Sequence, residues 1–360
     1  MPFFFDLCIQ LVSIHQVILT SMRYLFFSVI LIIGFTVNIQ AQKGKASQFK
    51  VAFYNTENLF DTIDDPHKSD NDFLPSAKVP WTSERYFHKL NNIARVLVSI
   101  DSLDMPAVIG LAEVENIDVL NDLVNKTPLH RGNYQAILVE GGDPRGIDVA
   151  LIFRKDVMHE ISHKAFPGSK SFTTRSILYV KLEDAKKDTF HLFVNHWKSR
   201  EGGGNETETK RLENAASLKY LTDSILTRNP MANIVAMGDL NDNPTDKSIS
   251  EVLGALKPDQ KITPTGLYDL MALRFQNGEG TLYYKSWDLF DQIIVSGNLL
   301  TVKKQGKGVL ITYPFSTIFK QDWMLYKNNS GVMVPARTAS SKEYFGGFSD
   351  HLPVFVTVNY

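Results

Sequence analysis

From residue 50 onward the chain alternates short apolar runs with longer amphipathic stretches. Residues 50–54, 107–111, 134–139, 149–153, 176–182, 190–195, 233–237, 292–295 and 354–358 are brief, apolar and often β-branched, the composition of buried strands. Between them, residues 83–100 and 207–226 carry the helical period. In the second, Leu212, Ala215, Leu218, Leu221 and Ile225 recur at spacings of three and four, which puts them on one face. No Pro/Gly/Ser-rich linker divides the strands into two sets, and no internal repeat occurs, so residues 48–360 are expected to form one domain. Residues 61–80, 201–206 and 300–347 read as excursions from it. Strands interleaved with helices, with several strand-to-strand neighbours lacking a helix between them, predict an α/β (α+β) sandwich with mixed sheets.

The amino-terminal pattern is different. Met22-Arg23 is followed by an apolar run over residues 24–37 and then by Asn38-Ile39-Gln40-Ala41 and polar residues. A short basic start, an apolar run and a small residue at the end are the marks of a secretory signal, with cleavage expected after Ala41, residues 42–47 as a linker and Met22 as the true start. The run is shorter than the roughly 20 residues a spanning helix needs, so export to the periplasm or exterior is expected ahead of a lasting amino-terminal anchor. Removing the first 41 of 360 residues leaves 319 and also removes Cys8, the one cysteine. No disulfide and no cysteine-rich zinc site can then form. The balance of 38 Lys+Arg against 39 Asp+Glu excludes a protein that coats nucleic acid by bulk charge, so any grip on a polyanion must be local.

Polar residues of chemical interest stand at the strand ends. They are Asn55-Thr56-Glu57-Asn58, Glu113 in Leu111-Ala112-Glu113, Asn195-His196-Trp197-Lys198-Ser199-Arg200, Gly238-Asp239-Leu240-Asn241, Asp288 to Asp291, and Ser349-Asp350-His351-Leu352-Pro353. Singly, each has an ordinary explanation, because Asx residues at strand ends form turns and a lone histidine satisfies a local hydrogen bond. Together and in this order they resemble the endonuclease/exonuclease/phosphatase superfamily, the deoxyribonuclease I-like fold, from residue 50 to the carboxyl terminus. Arg145-Gly146-Ile147-Asp148 with the His196 segment is most similar to secreted bacterial nuclease domains.

That resemblance implies a four-layer sandwich of two packed mixed sheets flanked by helices. It also implies a site in which Glu113 is the principal metal ligand and Asn55 and Asp350 complete the metal shell. Asp239 and Asn241 would orient the attacking water and hold a phosphoryl oxygen. His351 would be a catalytic histidine fixed by Asp291, and His196 a second one that protonates the leaving oxygen or binds phosphate. The expected ion is Mg²⁺, with Mn²⁺ as a substitute, since hard cations are held by one or two carboxylates and water. Arg145, Lys198 and Arg200 would meet substrate phosphate at the rim. The expected activity is hydrolysis of DNA or RNA by metal-activated water, without a covalent enzyme intermediate. Alternatives are a phosphatase or phosphodiesterase on small or lipid-linked phosphates, and a non-catalytic binding protein on the same scaffold. No obligate protein partner is implied.

Other motifs fail on spacing or are missing from the sequence. Asp239-x-Asn241-x-Asn243 opens like an EF-hand but has Pro244 where glycine is needed and Ser250 where the bidentate glutamate belongs. Ser349 lacks the second glycine of a nucleophile elbow, and there is no Walker sequence, dinucleotide glycine fingerprint or H-E-x-x-H helix.

Overall fold

A computed structural model describes residues 48–201, 204–301 and 308–360, with the side chains of 204–206 left aside. The expected signal and linker, residues 1–47, lie outside the described residues, as do residues 202–203 of the second excursion and 302–307 of the third. Residues Gln48–Tyr360 form one compact unit. No helix among the described residues is long and apolar enough to cross a membrane.

Two six-stranded mixed sheets pack face to face. The first contains β1 (Gln48–Leu59), β2 (Val108–Val114), β3 (Tyr134–Leu138), β4 (Asp148–Arg154), β13 (Thr317–Ile318) and β16 (Val354–Asn359), in the order β13-β16-β1-β2-β4-β3. The second contains β5 (Met158–Phe166), β6 (Ile177–Asp184), β7 (Thr189–His196), β8 (Asn233–Asp239), β9 (Leu267–Asp269) and β12 (Asp291–Ser296), in the order β5-β6-β7-β8-β12-β9. Small hairpins β10 (Leu282–Tyr284) with β11 (Ser286–Asp288), and β14 (Leu325–Lys327) with β15 (Met333–Pro335), lie outside them.

The strand period of two explains the layering. Phe49, Val51 and Phe53 of β1 point between the sheets, where they meet Leu178, Val180, Phe190, Leu192, Val235 and Ile293 of the second sheet. Their neighbours Ala52 and Tyr54 point the other way, under helix α1 (Ser83–Ile100) and helix α2 (Ile117–Asn125), against Leu90, Ile93, Leu97 and Leu120. Ile177, Phe193, Ile234 and Ile294 form the outer face of the second sheet, against Ala215 and Leu218 of helix α3 (Gly204–Arg228). Each fully buried aliphatic side chain contributes about 1.5–3 kcal/mol. The four-layer sandwich is therefore present.

The helices depart from their apolar patterns where charge is buried. Thr82 caps α1 by accepting from Arg85 N–H at 3.4 Å, and Lys89 is completely buried on its apolar side. In α3 the buried face holds Arg211 and Asn214 beside Ala215 and Leu218, whereas Leu212 is only half-buried. The short strands β9, β10, β11, β13, β14 and β15 gave no sequence signal, and neither did two longer elements. The β5 strand is mostly exposed at a sheet edge, and α2 spans only nine residues.

Candidate active site

Each sheet has a central parallel pair, β1 with β2 and β7 with β8, flanked by antiparallel β16 and β12. Parallel strands end at the same edge, and their antiparallel neighbours begin there. Asn55, Glu113, His196 and Asp239 thus leave the sandwich where Asp291 and the Asp350-His351 segment enter it. At this edge the backbone leaves regular strand geometry. The β1–β2 register shifts between Asn55 and Leu59, and the β2–β4 register shifts between Ala112 and Val114. Glu57, Asn58, Glu113 and Asn241 adopt positive φ of 52, 56, 61 and 50°. Such bulges re-aim side chains, and backbone strain of this kind concentrates at functional sites. Gly238 has a separate reason: a Cβ there would collide with the Asn195 carbonyl oxygen on the paired strand.

Asp239 is the hub. Its Oδ2 accepts from Asn55 Nδ2 at 3.0 Å and lies 3.6 Å from His196 Nε2 and 3.7 Å from His351 Nε2, while Oδ1 accepts from Asn241 N–H at 3.0 Å. Glu113 Oε1 stands 3.3 Å from Asn55 Nδ2 and 3.8 Å from His196 Nε2, and its Oε2 accepts from Asn58 N–H at 2.9 Å. His351 Nδ1 is 2.7 Å from Asp291 Oδ2. The other Asp291 oxygen is buried with no hydrogen-bond partner, as is His196 Nδ1. Ser349 ties the segment to β1 by donating to the Asn55 carbonyl at 2.8 Å and accepting from His351 N–H at 3.1 Å.

The two histidines are driven apart electrostatically. Burial works against charge on His351, but Asp291 and then Asp239 overcome it and hold its pKa well above the ordinary value. For His196 burial, then the cations Arg175 and Arg145, hold the pKa well below it. Burial pushes the Asp239 carboxyl up to about 6, with Asp291 adding and His351 opposing.

Several supporting residues gave no motif. Arg175, fully buried, donates to the carbonyls of His196 at 3.0 Å and Trp197 at 2.5 Å and pairs with Asp143 at 2.8 Å, fixing the end of β7. Behind Asp350, Glu57 accepts from Arg337 Nε at 3.0 Å and Thr338 N–H at 2.6 Å, and Arg337 Nη2 reaches Asp350 Oδ2 at 3.3 Å. The buried Lys89 ammonium donates to Thr338 Oγ1 and to the Phe348 carbonyl. Burial raises Glu57 to about 7 and lowers Lys89 to about 8. The available signals were a glutamate beside Asn55 and a lysine on the apolar side of α1.

Of the eleven candidate residues, the structure gathers Asn55, Glu113, His196, Asp239, Asn241, Asp291 and His351 into one hydrogen-bonded or close-packed group, with Asp350 at its edge, 4.0 Å from His351 Nε2. Asn241 turns its amide to the Trp197 carbonyl at 3.2 Å. The rim residues behave differently. Arg200 is held by Asp242 at 2.8 Å, Asp246 at 2.5 Å and the Asn241 carbonyl, and it covers the Phe290 ring. Arg145 is half-exposed and lies 3.5 Å from Asp143. Lys198 has no ion-pair partner among the described residues, and its charge still bears on His196.

Among the described residues no three His, Cys, Asp or Glu side chains form a closed cation cage. Glu113 nonetheless fits a hard divalent cation. Its side chain is partly open to solvent, it shares the edge with Asp239 and Asp350, and such ions are commonly held by one or two carboxylates with water. Asn55 Oδ1 accepts from Glu57 N–H at 2.9 Å, so its amide faces the carboxylates with its donor end. Asp350 is shared with Arg337.

The solved structures similar to this chain share its fold. Zebrafish (D. rerio) TDP2 complexed with single-strand DNA product matches at 16% identity and TM-score 0.52, over 87% of this chain and 100% of that one. The mannosyl-6-phosphatase of Bacteroides thetaiotaomicron matches at 16% and 0.53, over 87% and 100%. The catalytic domain of human Nocturnin with bound sulfate matches at 16% and 0.52, over 87% and 94%. No curated protein matches the chain. The model of the endonuclease/exonuclease/phosphatase family matches residues 50–360, which include every strand end at this edge. Enzymes of that family hydrolyse phosphoric esters and are generally dependent on divalent metals, and this chain belongs to it.

Proposed function

We propose that this chain is an exported, Mg²⁺-dependent phosphoric ester hydrolase, with Mn²⁺ as a substitute, acting on small phosphate esters. The observation that carries the hydrolase reading is the convergence of Asn55, His196 and His351 on the Asp239 carboxylate, with Glu113 against Asn55 and His196 and with His351 fixed from behind by Asp291. Glu113, with Asp350 beside it, would hold the cation, whose chemistry is to neutralise charge on phosphoryl oxygens, while Asn55, expected in the metal shell, has its amide oxygen on Glu57 N–H and instead donates to the carboxylates. Asp239 and Asn241 form a rigid turn that can orient a water molecule against phosphorus. The short Asp291 contact leaves His351 Nε2 as the atom that presents a proton or a positive charge to the ester. His196 closes the opposite side and can contact the leaving oxygen. All of these contributions act by positioning and by electrostatics, which together supply most of the rate enhancement in many enzymes.

The rim supports the small-ester reading. Arg200 is spent on Asp242 and Asp246 and Arg145 leans on Asp143, which leaves Lys198 as the uncommitted cation of the three. A long polyanion needs several free phosphate contacts. The second reading, a nuclease acting on DNA or RNA, is favoured by Lys198 beside His196 and by the DNA product in the TDP2 structure. A panel with Mg²⁺ decides: hexose and inositol phosphates, a bis-aryl phosphate, sphingomyelin, plasmid DNA, single-stranded DNA and RNA. Cleavage of the small esters with at most trace action on nucleic acid is expected. Efficient nucleic-acid cleavage that falls steeply with salt establishes the nuclease reading instead. Activity that survives both EDTA and Glu113→Ala rejects the mechanism. Export is tested by sequencing the secreted product, expected to start at Gln42.

A further inference from the structure

Two of the three excursions meet beside the reaction centre. Residues 57–81 and 337–341 enclose a cleft of about 230 Å³ lined by Glu57, Asn58, Asp72, Phe73, Lys78, Val79, Trp81, Arg337 and the 338–341 loop. Three of these residues also belong to the reaction centre. The Asn58 N–H holds Glu113, Glu57 holds Arg337, and Arg337 holds Asp350. A group attached to a phosphate at the centre therefore has this cleft as a neighbouring compartment.

The cleft, at about 230 Å³, far exceeds the roughly 10–15 Å³ that one water needs and leaves room for a ring. The lining defines its chemistry. A guanidinium has five N–H donors, and Arg337 spends two of them on Glu57 and Asp350. Lys78, Ser341 and Asp72 are solvent-exposed at the cleft and make no side-chain hydrogen bond or ion pair among the described residues. The Phe73 ring is pinned by stacking on buried Phe60, with centroids 4.1 Å apart and planes 5° apart, and gives the cleft one flat apolar wall. Donors and an acceptor around an apolar wall match a molecule with C–H faces and O–H groups at its edge.

We infer that this cleft is a substrate subsite for a hydroxylated ring, a sugar or cyclitol, carried by the scissile phosphate, with Lys78, Ser341 and Arg337 as its specificity-determining donors. The inference rests on the small-ester reading of the same centre and names its alcohol. Lys78 and Ser341 touch nothing at the Glu113–Asp239 centre, so their loss removes ring recognition and leaves the chemistry.

Two measurements on the full chain test this. The first is the kcat/KM ratio for myo-inositol 1-phosphate or a hexose 6-phosphate against 4-nitrophenyl phosphate, in the parent and in Lys78→Ala/Ser341→Ala. The double variant should lose about ten-fold on the hydroxylated esters, through KM, which is the scale of one or two hydrogen bonds, and should keep its rate on the aryl ester. The second is saturation-transfer NMR with the phosphate-free probes myo-inositol and methyl glucoside, whose signals should vanish in the double variant and in the crowding variant Ser341→Trp. Equal losses on all esters, or probe signals that persist in both variants, overturn the subsite, as does recognition of nucleotides in preference to ring alcohols. Probe binding lost in the variants, combined with no hydrolysis of any ester by the parent, upholds the subsite and rejects the proposed activity.

Discussion

His351 enters the site from one sheet and His196 leaves the other, and their Nε2 atoms stand 3.7 and 3.6 Å from the same oxygen of Asp239. Both rings are buried, so the anion in front and the loss of water are common to the two. What differs is the environment behind each ring. His351 Nδ1 meets the Asp291 carboxylate at 2.7 Å, whereas His196 Nδ1 meets nothing, and its carbonyl is gripped by the Arg175 guanidinium at 3.0 Å. An anion behind one ring and a cation behind the other split two chemically identical groups into a charged and a neutral member. Assignment of their duties therefore depends on residues that do not touch substrate.

The largest expected effect removes that asymmetry on the His351 side. Asp291→Asn keeps the shape but loses the anion and frees the tautomer, and kcat should fall roughly 10²–10⁴-fold with KM little changed. His196→Asn should cost less, because no partner holds that ring for proton transfer. Equal losses in the two variants, measured under single-turnover conditions, would collapse the distinction. Next in size is Arg175→Met. It leaves the buried Asp143 carboxylate with only Arg145, and breaking a buried pair costs up to about 3–5 kcal/mol, less here because Arg145 remains. A urea melt should show the loss, and the end of β7 should loosen with it.

The contrast also shows how far sequence alone reaches. Asp291, His351, Asp239 and His196 were legible because each borders an apolar run, Asp239 and His196 at its end and Asp291 and His351 ahead of it, and because their order along the chain resembles that of the family. Nine of the twelve strands of the two sheets were legible from their apolar runs, and α1 from its helical period, whereas β5, β9 and β13 were not. Arg175 was not, because it sits two residues before β6, in a loop whose partners are 32 and 21 positions away. Lys89 looks like a surface residue until the 338–348 loop closes over it, and Arg337 finds Glu57 across 280 positions. Long-range pairing of charge has no local signal. The same holds for Arg200, whose place in a basic run suggested a phosphate contact and whose ion pairs run to Asp242 and Asp246.

A smaller effect is read directly from the rings. In protein treated with EDTA, NMR titration should show His351 protonated to well above pH 6.5 and His196 neutral to well below it. The signs for stability follow. The contribution of His351 is complete below about pH 6.5 and is lost as pH rises through its raised pKa. His196 costs stability as pH falls below about 6.5, where the unfolded chain takes a proton that the folded chain refuses. Asp291→Asn should bring the His351 midpoint down toward that of His196, and a midpoint that stays put would show that Asp239 alone supplies the charge.

The smallest effect comes from a carboxylate that lacks what Asp291 has. Asp269 lies at the end of β9, next to β12, and is as deeply buried as Asp291. Its Oδ1 accepts from Met271 N–H at 2.9 Å, but its Oδ2 has no partner, and burial pushes its pKa up to about 7. An unfolded aspartate titrates near 3.9, so between about pH 4 and pH 7 the folded state binds the extra proton and stability falls as pH rises. Above about pH 7 both states are ionised and the deficit is constant. Asp269→Asn removes this pH-dependent loss. Its melting temperature relative to the parent should therefore climb from pH 4 to pH 7 and level off above, by roughly a few degrees for a domain of this size. A flat difference would mean that water or a rearranged neighbour satisfies Oδ2 in solution. A buried carboxylate without a histidine would then cost this fold little, and the dependence of Asp291 on His351 would have to be sought in catalysis alone.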